Sequence, residues 1–162
     1  MSSSALIVQG SQAPAPSTYG ALKQEFVTLR LNQQLFGISV MAVQDVLRKQ
    51  PISPVPLAPH IVAGSLNLRG RIVTAINLRK RLGIDDYPDY STIMKVVVDY
   101  QHELFAFMVD AVGDVLTLEM NACEKPPSNM NESWRSVAAG VFKLQDELLV
   151  VLDVGSIIDE GA

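Results

Sequence analysis

The side chains able to do chemistry are few and scattered. The two histidines, His60 and His102, have no partner at metal-ligand spacing. His102 falls in a polar turn and His60 follows Pro59, and both read as surface residues. Cys123, the single cysteine, has no histidine near it in sequence to activate it as a nucleophile. It reads as an inert thiol in a loop or at a strand end; a histidine beside it in space would reverse that. Asp85, Asp86 and Asp89 cluster, but lack the closing glutamate of a calcium loop, and read as a solvated connector. There is no glycine-rich phosphate loop and no serine nucleophile elbow. The one basic concentration, Arg69, Arg71, Arg79, Lys80 and Arg81, has no interleaved aromatics on which bases could stack. Arg69 stands apart, because it lies at a tight turn. A long planar donor there projects outward and can anchor a protein partner. These residues predict a binding protein with no catalytic centre, metal or cofactor.

The elements that position them read mainly as strands. Val27, Leu29 and Leu31 alternate with polar residues as a half-buried strand. Asn32-Gln33-Gln34 turns the chain into a second strand, Leu35 to Val40, then a helical turn over Met41 to Asp45 and strand again. Pro51, Pro54, Pro56 and Pro59 exclude a long helix or a central strand between them. Pro59 suits the start of a short helix through Val62. Leu66 to Leu68 and Ile72 to Ile76 flank Arg69-Gly70 as a hairpin. Asn77 then N-caps a helix that Gly83 closes. Residues 1–22 are rich in Ser, Ala, Gln and Pro, and read as a disordered tail ahead of a domain spanning 23–162.

The second half repeats the first. Leu35 to Leu47 returns as Leu104 to Leu116, 69 residues later without a gap, with eight of thirteen positions identical. Gly140 to Leu152 aligns with Gly64 to Ile76 at a spacing of 76, so that Asp153 falls where Asn77 fell, as the cap of a last helix. Thr117 to Ala139, the longer connection, holds a loop and a short helix. Each half therefore has about five short strands, too few to be stable alone. The expectation is two five-stranded barrels on a shared core. Runs such as Val96-Val97-Val98 and Leu148 to Leu152, apolar on both faces, form the seam. Asp45 and Asp114 interrupt equivalent apolar runs. Each reads either as a structural acceptor or as a partner-facing group, and both readings stand.

The chain has 162 residues, 48% apolar and 19% charged, with a net charge of −4. This is a globular composition, and a poor one for nucleic acid or anionic lipid. No stretch reaches the ~20 apolar residues of a membrane span, no signal peptide is evident, and one cysteine suits a reducing compartment. The expected address is the cytoplasm.

The stretch Gly64-Ser-Leu-Asn-Leu-Arg-Gly-Arg-Ile-Val-Thr-Ala-Ile-Asn-Leu-Arg79 closely resembles the central signature of the CheW family of chemotaxis coupling proteins, roughly G-x-x-N-L-R-G-x-I-x-P-I-x-D-L-R. Phe36-Gly-Ile-Ser-Val-Met-Ala-Val-Gln-Asp-Val46 and Val109-Asp-Ala-Val-Gly-Asp-Val-Leu116 are similar to its flanking elements. The resemblance covers residues 25–158. It implies a mainly β fold of two five-stranded SH3-like barrels packed around a shared hydrophobic core, with short helices. It implies a non-catalytic adaptor linking the cytoplasmic tips of transmembrane chemoreceptors to the regulatory domain of the histidine kinase CheA, recruited to membrane-bound receptor arrays without inserting in the bilayer. By motif, the receptor-facing groove would use Val43, Asp45, Ala106 and Val115, and the kinase-facing surface Gly64, Arg69 and Ile72. Four positions depart from the family pattern. Asp45 stands for Glu, Thr74 for Pro, Asn77 for Asp and Ala106 for Gly. The alternative is a small β-barrel module binding a small molecule or an oligonucleotide; the acidic balance and scarce aromatics weigh against it.

Overall fold

The computed structural model describes residues 22–161 except Lys49, Pro88, Ser91 and Thr92, with Glu160 and Gly161 described by backbone alone. The expected N-terminal tail, apart from Leu22, lies outside the described residues.

Among the described residues, ten strands and three short α-helices follow in order: β1 Lys23–Leu31, β2 Gln34–Ser39, β3 Val43–Leu47, β4 Val62–Leu68, β5 Arg71–Asn77, α1 Leu78–Arg81, β6 Met94–Tyr100, β7 Glu103–Val109, β8 Ala111–Glu119, α2 Glu132–Arg135, β9 Ala138–Lys143, β10 Leu148–Leu152 and α3 Val154–Gly161. The first sheet runs β8-β1-β2-β10-β9 and the second β3-β6-β7-β5-β4. Advancing every strand of the first by five, around a ring of ten, gives the second. The repeat seen in the residues is thus a repeat of topology. The hairpin turns repeat too, with Asn32 and Gln33, and again Gln101 and His102, at positive φ. Two consecutive positive φ values are the signature of the turn that matches strand twist. The architecture is the SH3-like pair expected, with one refinement: each sheet stays open, its edge strands unpaired with each other.

The two sheets are not the two sequence halves. Each takes two strands from one half and three from the other. β2 leaves the first sheet through a 3-10 turn at Val40–Ala42 and delivers β3 to the second. β7 leaves the second at Asp110 and delivers β8 to the first. Two parallel pairings, β2 with β10 and β5 with β7, complete the exchange. Parallel neighbours need a crossover, and here the exchanged strands supply it.

Alternation along the strands sorts three apolar clusters. The large one, with Leu29, Phe36, Ile76, Val96, Phe107 and Val150, lies between the sheets and draws on both halves. A smaller cluster lies on the other face of each sheet: Phe26, Leu35, Phe142, Leu149 and Val151 on the first, and Leu66, Val73, Val97, Leu104 and Ala106 on the second. Val96 and Val98 therefore face the shared core while Val97 faces the small one, as a both-sides-apolar seam strand requires.

Asp110 pins the second crossing. Its N–H donates to the Arg30 carbonyl at 3.0 Å, and its carboxylate accepts from the Asn32 N–H at 2.9 Å. Arg79, from α1, donates to it through Nε at 3.0 Å and Nη2 at 2.6 Å, and lies over the Tyr87 ring. Burial pushes the Asp110 carboxyl up, but Arg79, the Asn32 N–H and Tyr87 outweigh it and hold it below its ordinary value.

Asn77 caps α1 as expected, Oδ1 accepting from the Lys80 N–H at 3.1 Å. Its Nδ2 donates to Asp86 at 2.7 Å and to Tyr90 at 3.0 Å. That second role explains an amide where the family pattern has a carboxylate: an aspartate would face Asp86 with like charge. Gly83 closes the helix at φ 71, with the Gly83 and Ile84 N–H groups returning to Lys80 and Arg79. One expectation fails locally. Pro59 opens a single turn, Val62 N–H to Pro59 carbonyl, rather than a helix, because β4 already begins at Val62 to pair with β5.

Lys95 is the one buried cation among the described residues. It lies in β6 with Nζ donating to the Ile93 carbonyl at 2.9 Å, and burial lowers its pKa.

Two stability predictions follow from these contacts. Arg79→Met costs about 1–3 kcal/mol at pH 7 in urea unfolding. Because the Asp110 pKa is depressed in the folded state, that contribution is present above the unfolded value of about 3.9 and is lost as pH falls through the folded one, so the difference between the two proteins holds at neutral pH and shrinks only below about pH 4. Lys95→Met is at least as stable as the parent at pH 7. With the lysine pKa depressed on folding, the parent gains stability as pH rises through the folded pKa toward the unfolded value of about 10.4, and the variant shows no such gain.

Candidate partner-binding surfaces

The expected site residues sort by burial. Val43 and Asp45 lie on β3, the edge of the second sheet. Val43 is half-buried, packing on the shared core and pairing with Val98. Val115 lies on β8, the edge of the first sheet, and is 51% exposed. Ala106 is fully buried in the small cluster beneath the second sheet. It presents no surface, so the expectation that it lines a groove is corrected: it packs under the sheet that carries the surface.

Of the three residues expected to face the kinase, Ile72 is 77% exposed on β5 beside the Arg69-Gly70 turn. Arg69 occupies the turn at φ 51, and the Gly70 N–H is held by the Asn67 side chain at 3.0 Å. Gly64 is buried. A Cβ there would collide with the Ser53 carbonyl and the Ile52 side chain. Its steric role lies within the fold. It lets the proline-rich segment approach β4 closely enough to form the Ser53–Ser65 backbone pair, 2.8 Å in both directions.

Tertiary structure joins what sequence kept apart. Arg69 Nη2 donates to Asp45 Oδ2 at 3.0 Å, across 24 residues of chain. The carboxylate also accepts from the Val46 N–H at 2.8 Å through Oδ1. The Arg69 side chain is 76% exposed and that of Asp45 27%. The residue expected to meet one partner is thus ion-paired to the residue expected to meet the other. The second copy lacks this link. Asp114 makes no ion pair among the described residues, and Gln145 stands where Arg69 would be. The Asp114 backbone carbonyl instead accepts from the Thr28 hydroxyl at 2.6 Å.

Sequence reading passed over some exposed apolar residues. Val46 is the repeat counterpart of Val115, and both are open on edge strands; the 69-residue spacing could have found it. Met41 and Leu57 are more exposed still, and Leu57 sits at φ 61, a conformation costly for a branched side chain. Among the described residues no three His, Cys, Asp or Glu side chains form a metal site. Among the described residues no histidine lines the cavity beside Cys123.

A family model described as a CheW-like domain matches residues 25–162. The chemotaxis protein CheW of Thermotoga maritima is 33% identical, over 86% of this chain and 91% of that one. The chemotaxis protein CheW of Rhizobium meliloti is 27% identical, over 83% and 86%. Among solved structures, the scaffolding protein TtCheW of Thermoanaerobacter tengcongensis superposes with a TM-score of 0.77 at 25% identity, covering 85% of this chain and 94% of that one.

The exposure of the Arg69–Asp45 pair sets its energetic weight. Arg69→Glu and Asp45→Arg each shift urea-unfolding stability by less than about 1 kcal/mol. A larger loss would place the pair in the folding machinery instead of on a working surface.

Proposed function

The chain belongs to the CheW family, and on that premise we propose that it is a non-catalytic adaptor coupling the cytoplasmic tips of transmembrane chemoreceptors to the regulatory domain of the histidine kinase CheA. It works in the cytoplasm and is held at receptor arrays by its partners. Among the described residues no helix is long and apolar enough to cross a membrane.

The observation that carries this reading is the Asp45–Arg69 pair with Ile72 beside it: a charged and apolar cluster on one rim of the second sheet, where an edge strand meets a turn. An exposed arginine already oriented by a carboxylate loses less freedom on docking than a free one. Ile72 offers the apolar anchor that such a contact needs. A receptor helical hairpin lies against the open edge strands β3 and β8, where Val43, Val46 and Val115 supply apolar contacts, a helix-in-groove mode of recognition. The kinase domain docks at Arg69 and Ile72. Since Asp45 belongs to the first surface and Arg69 to the second, a partner that recruits either side chain changes what the other offers. Coupling then requires binding alone. Ala106 and Gly64 support the second sheet from beneath, by packing and by close approach.

Pull-downs with CheA and with a receptor cytoplasmic fragment test the reading. The wild-type chain retains both. Arg69→Glu loses CheA by at least about tenfold in affinity, the range of a charge-reversed interface anchor, and keeps the receptor fragment. Val115→Asp does the opposite. Retention of neither partner by the wild type overturns the adaptor; normal CheA binding by Arg69→Glu overturns the site assignment alone.

A further inference from the structure

The two halves differ most in one connection. Thr117 to Ala139 runs seven residues longer than its counterpart, Arg48 to Ala63, a length the partner surfaces do not use. On β5, Ile72 is 77% exposed, whereas its repeat counterpart on β10, Leu148, is half-buried and Val150 is buried. Trp134, carried on α2 within the longer connection, packs on the same core cluster as these two and shares with them a cleft of about 640 Å³. The walls are fixed. The Trp134 ring lies against Phe36, centroids 5.3 Å apart, and its Nε1 donates to the Leu82 carbonyl at 3.0 Å. The loop before it is held by the Met130 N–H on the Pro127 carbonyl at 3.1 Å and by Arg135 on the Ser128 carbonyl at 2.9 Å. After α1, Gly83 turns the chain so that Ile84 and Asp85 line the cleft, with the Asp85 carbonyl held by Arg79 at 2.9 Å. A cleft of this volume, largely formed in advance, is in the range of small-molecule sites.

What the lining offers a ligand depends on which polar atoms are already engaged. Arg79 is the cation among the described lining residues, and its three nitrogens are in use: Nε and Nη2 on Asp110, Nη1 on the Asp85 carbonyl. The Asp85 carboxylate makes no hydrogen bond or ion pair among the described residues. An anion would meet that carboxylate with no free cation to answer it. The side-chain amides of Asn32 and Asn129 make no hydrogen bond among the described residues, and Asn131 uses only Oδ1, on the Ser133 N–H at 2.8 Å. A purely apolar ligand would cover these amides and leave them unpaired. An amide both donates and accepts, and the neutral group that answers it in kind is a hydroxyl. Trp134, Met130, Leu148 and Val150 supply the apolar surface against which the C–H face of a sugar ring packs.

We propose that this cleft binds a neutral, hydroxyl-rich small molecule, a mono- or disaccharide in chemistry and size. It shares no lining residue with β3, β8 or the Arg69 turn, so the proposal stands or falls independently of the adaptor reading. Trp134 is the single tryptophan, and its intrinsic fluorescence reports on the cleft. Titrated with glucose, galactose, maltose and lactose, the full chain gives a saturable change in Trp134 emission for at least one sugar. The Kd is of millimolar order, as ligands of this size reach in an open cleft, and is unchanged between about 50 and 500 mM NaCl, since the ligand is uncharged. Asn129→Ala and Asp85→Ala, both at exposed positions, each weaken binding about fivefold or more and leave urea unfolding unchanged. The side-chain amide NMR signals of Asn32 and Asn129 shift with the same midpoint. No saturable response in fluorescence or in these amide signals, up to about 100 mM of each of the four sugars, overturns the proposal. A response unaltered in both variants overturns it by placing binding elsewhere. Preferential binding of putrescine or of inorganic phosphate overturns it by making the ligand a charged one.

Discussion

Neither half of this chain can finish its own sheet. That constraint follows from two crossings, the 3-10 turn at Val40–Ala42 and the bend at Asp110, where the strand that would close one sheet is handed to the other. Everything else depends on it. The shared core exists because Leu29, Phe36 and Val150 of one sheet meet Ile76, Val96 and Phe107 of the other. The parallel pairs β2–β10 and β5–β7 exist because the exchanged strands bring distant segments alongside. The second crossing is held by a carboxylate, Asp110, that binds the turn before β2, the end of β1 and the first helix together. At the first crossing, the counterpart residue is Met41, fully at the surface. One crossing is thus pinned by a carboxylate that reaches three elements, while at the other the side chain faces solvent and the backbone N–H is held by the Ser39 hydroxyl at 3.3 Å, an asymmetry within an otherwise repeated plan.

Much of the architecture was legible in the residues, and the reasons differ by element. The repeat was visible because eight identities in a row of thirteen without a gap survive as sequence. The seam strands were visible because period-two patterning tells which residues are buried, and Val96-Val97-Val98 is buried on both faces. The caps at Asn77 and Asp153, whose side-chain oxygens accept from the Lys80 and Gly155 N–H groups at 3.1 Å each, were visible because capping is local chemistry. The exchange was not visible, since alternation says which face a residue takes and never which strand lies beside it. For the same reason, Ala106 looked like a surface residue and proved to be covered. The Asp45–Arg69 pair lay equally beyond reach. Each residue was singled out, but nothing in their spacing places a strand edge against a turn 24 residues on.

The surfaces available for partners are where the exchange leaves them. β3 and β8 are both swapped strands and both edges, so the elements that knit the two sheets are also the ones that face outward. Open edges invite unwanted pairing. Here Asp45 on β3 and Asp114 and Glu119 on β8 place charge along them. Charge at these positions guards the edge and defines the surface at once, which is why the same residues are candidates for recognition.

The interlaced strand order also governs how the molecule comes into being. β1 and β2 leave the ribosome well before their neighbours β8 and β10, which lie 80 residues and more further along the sequence. At a synthesis rate of about 5–20 residues per second, the first hairpin waits on the order of 5–20 s with both flanks bare. Non-local pairing of this kind slows folding, because long loops must close before contacts reward them. For this chain, translation sets the interval during which its first hairpin stands exposed.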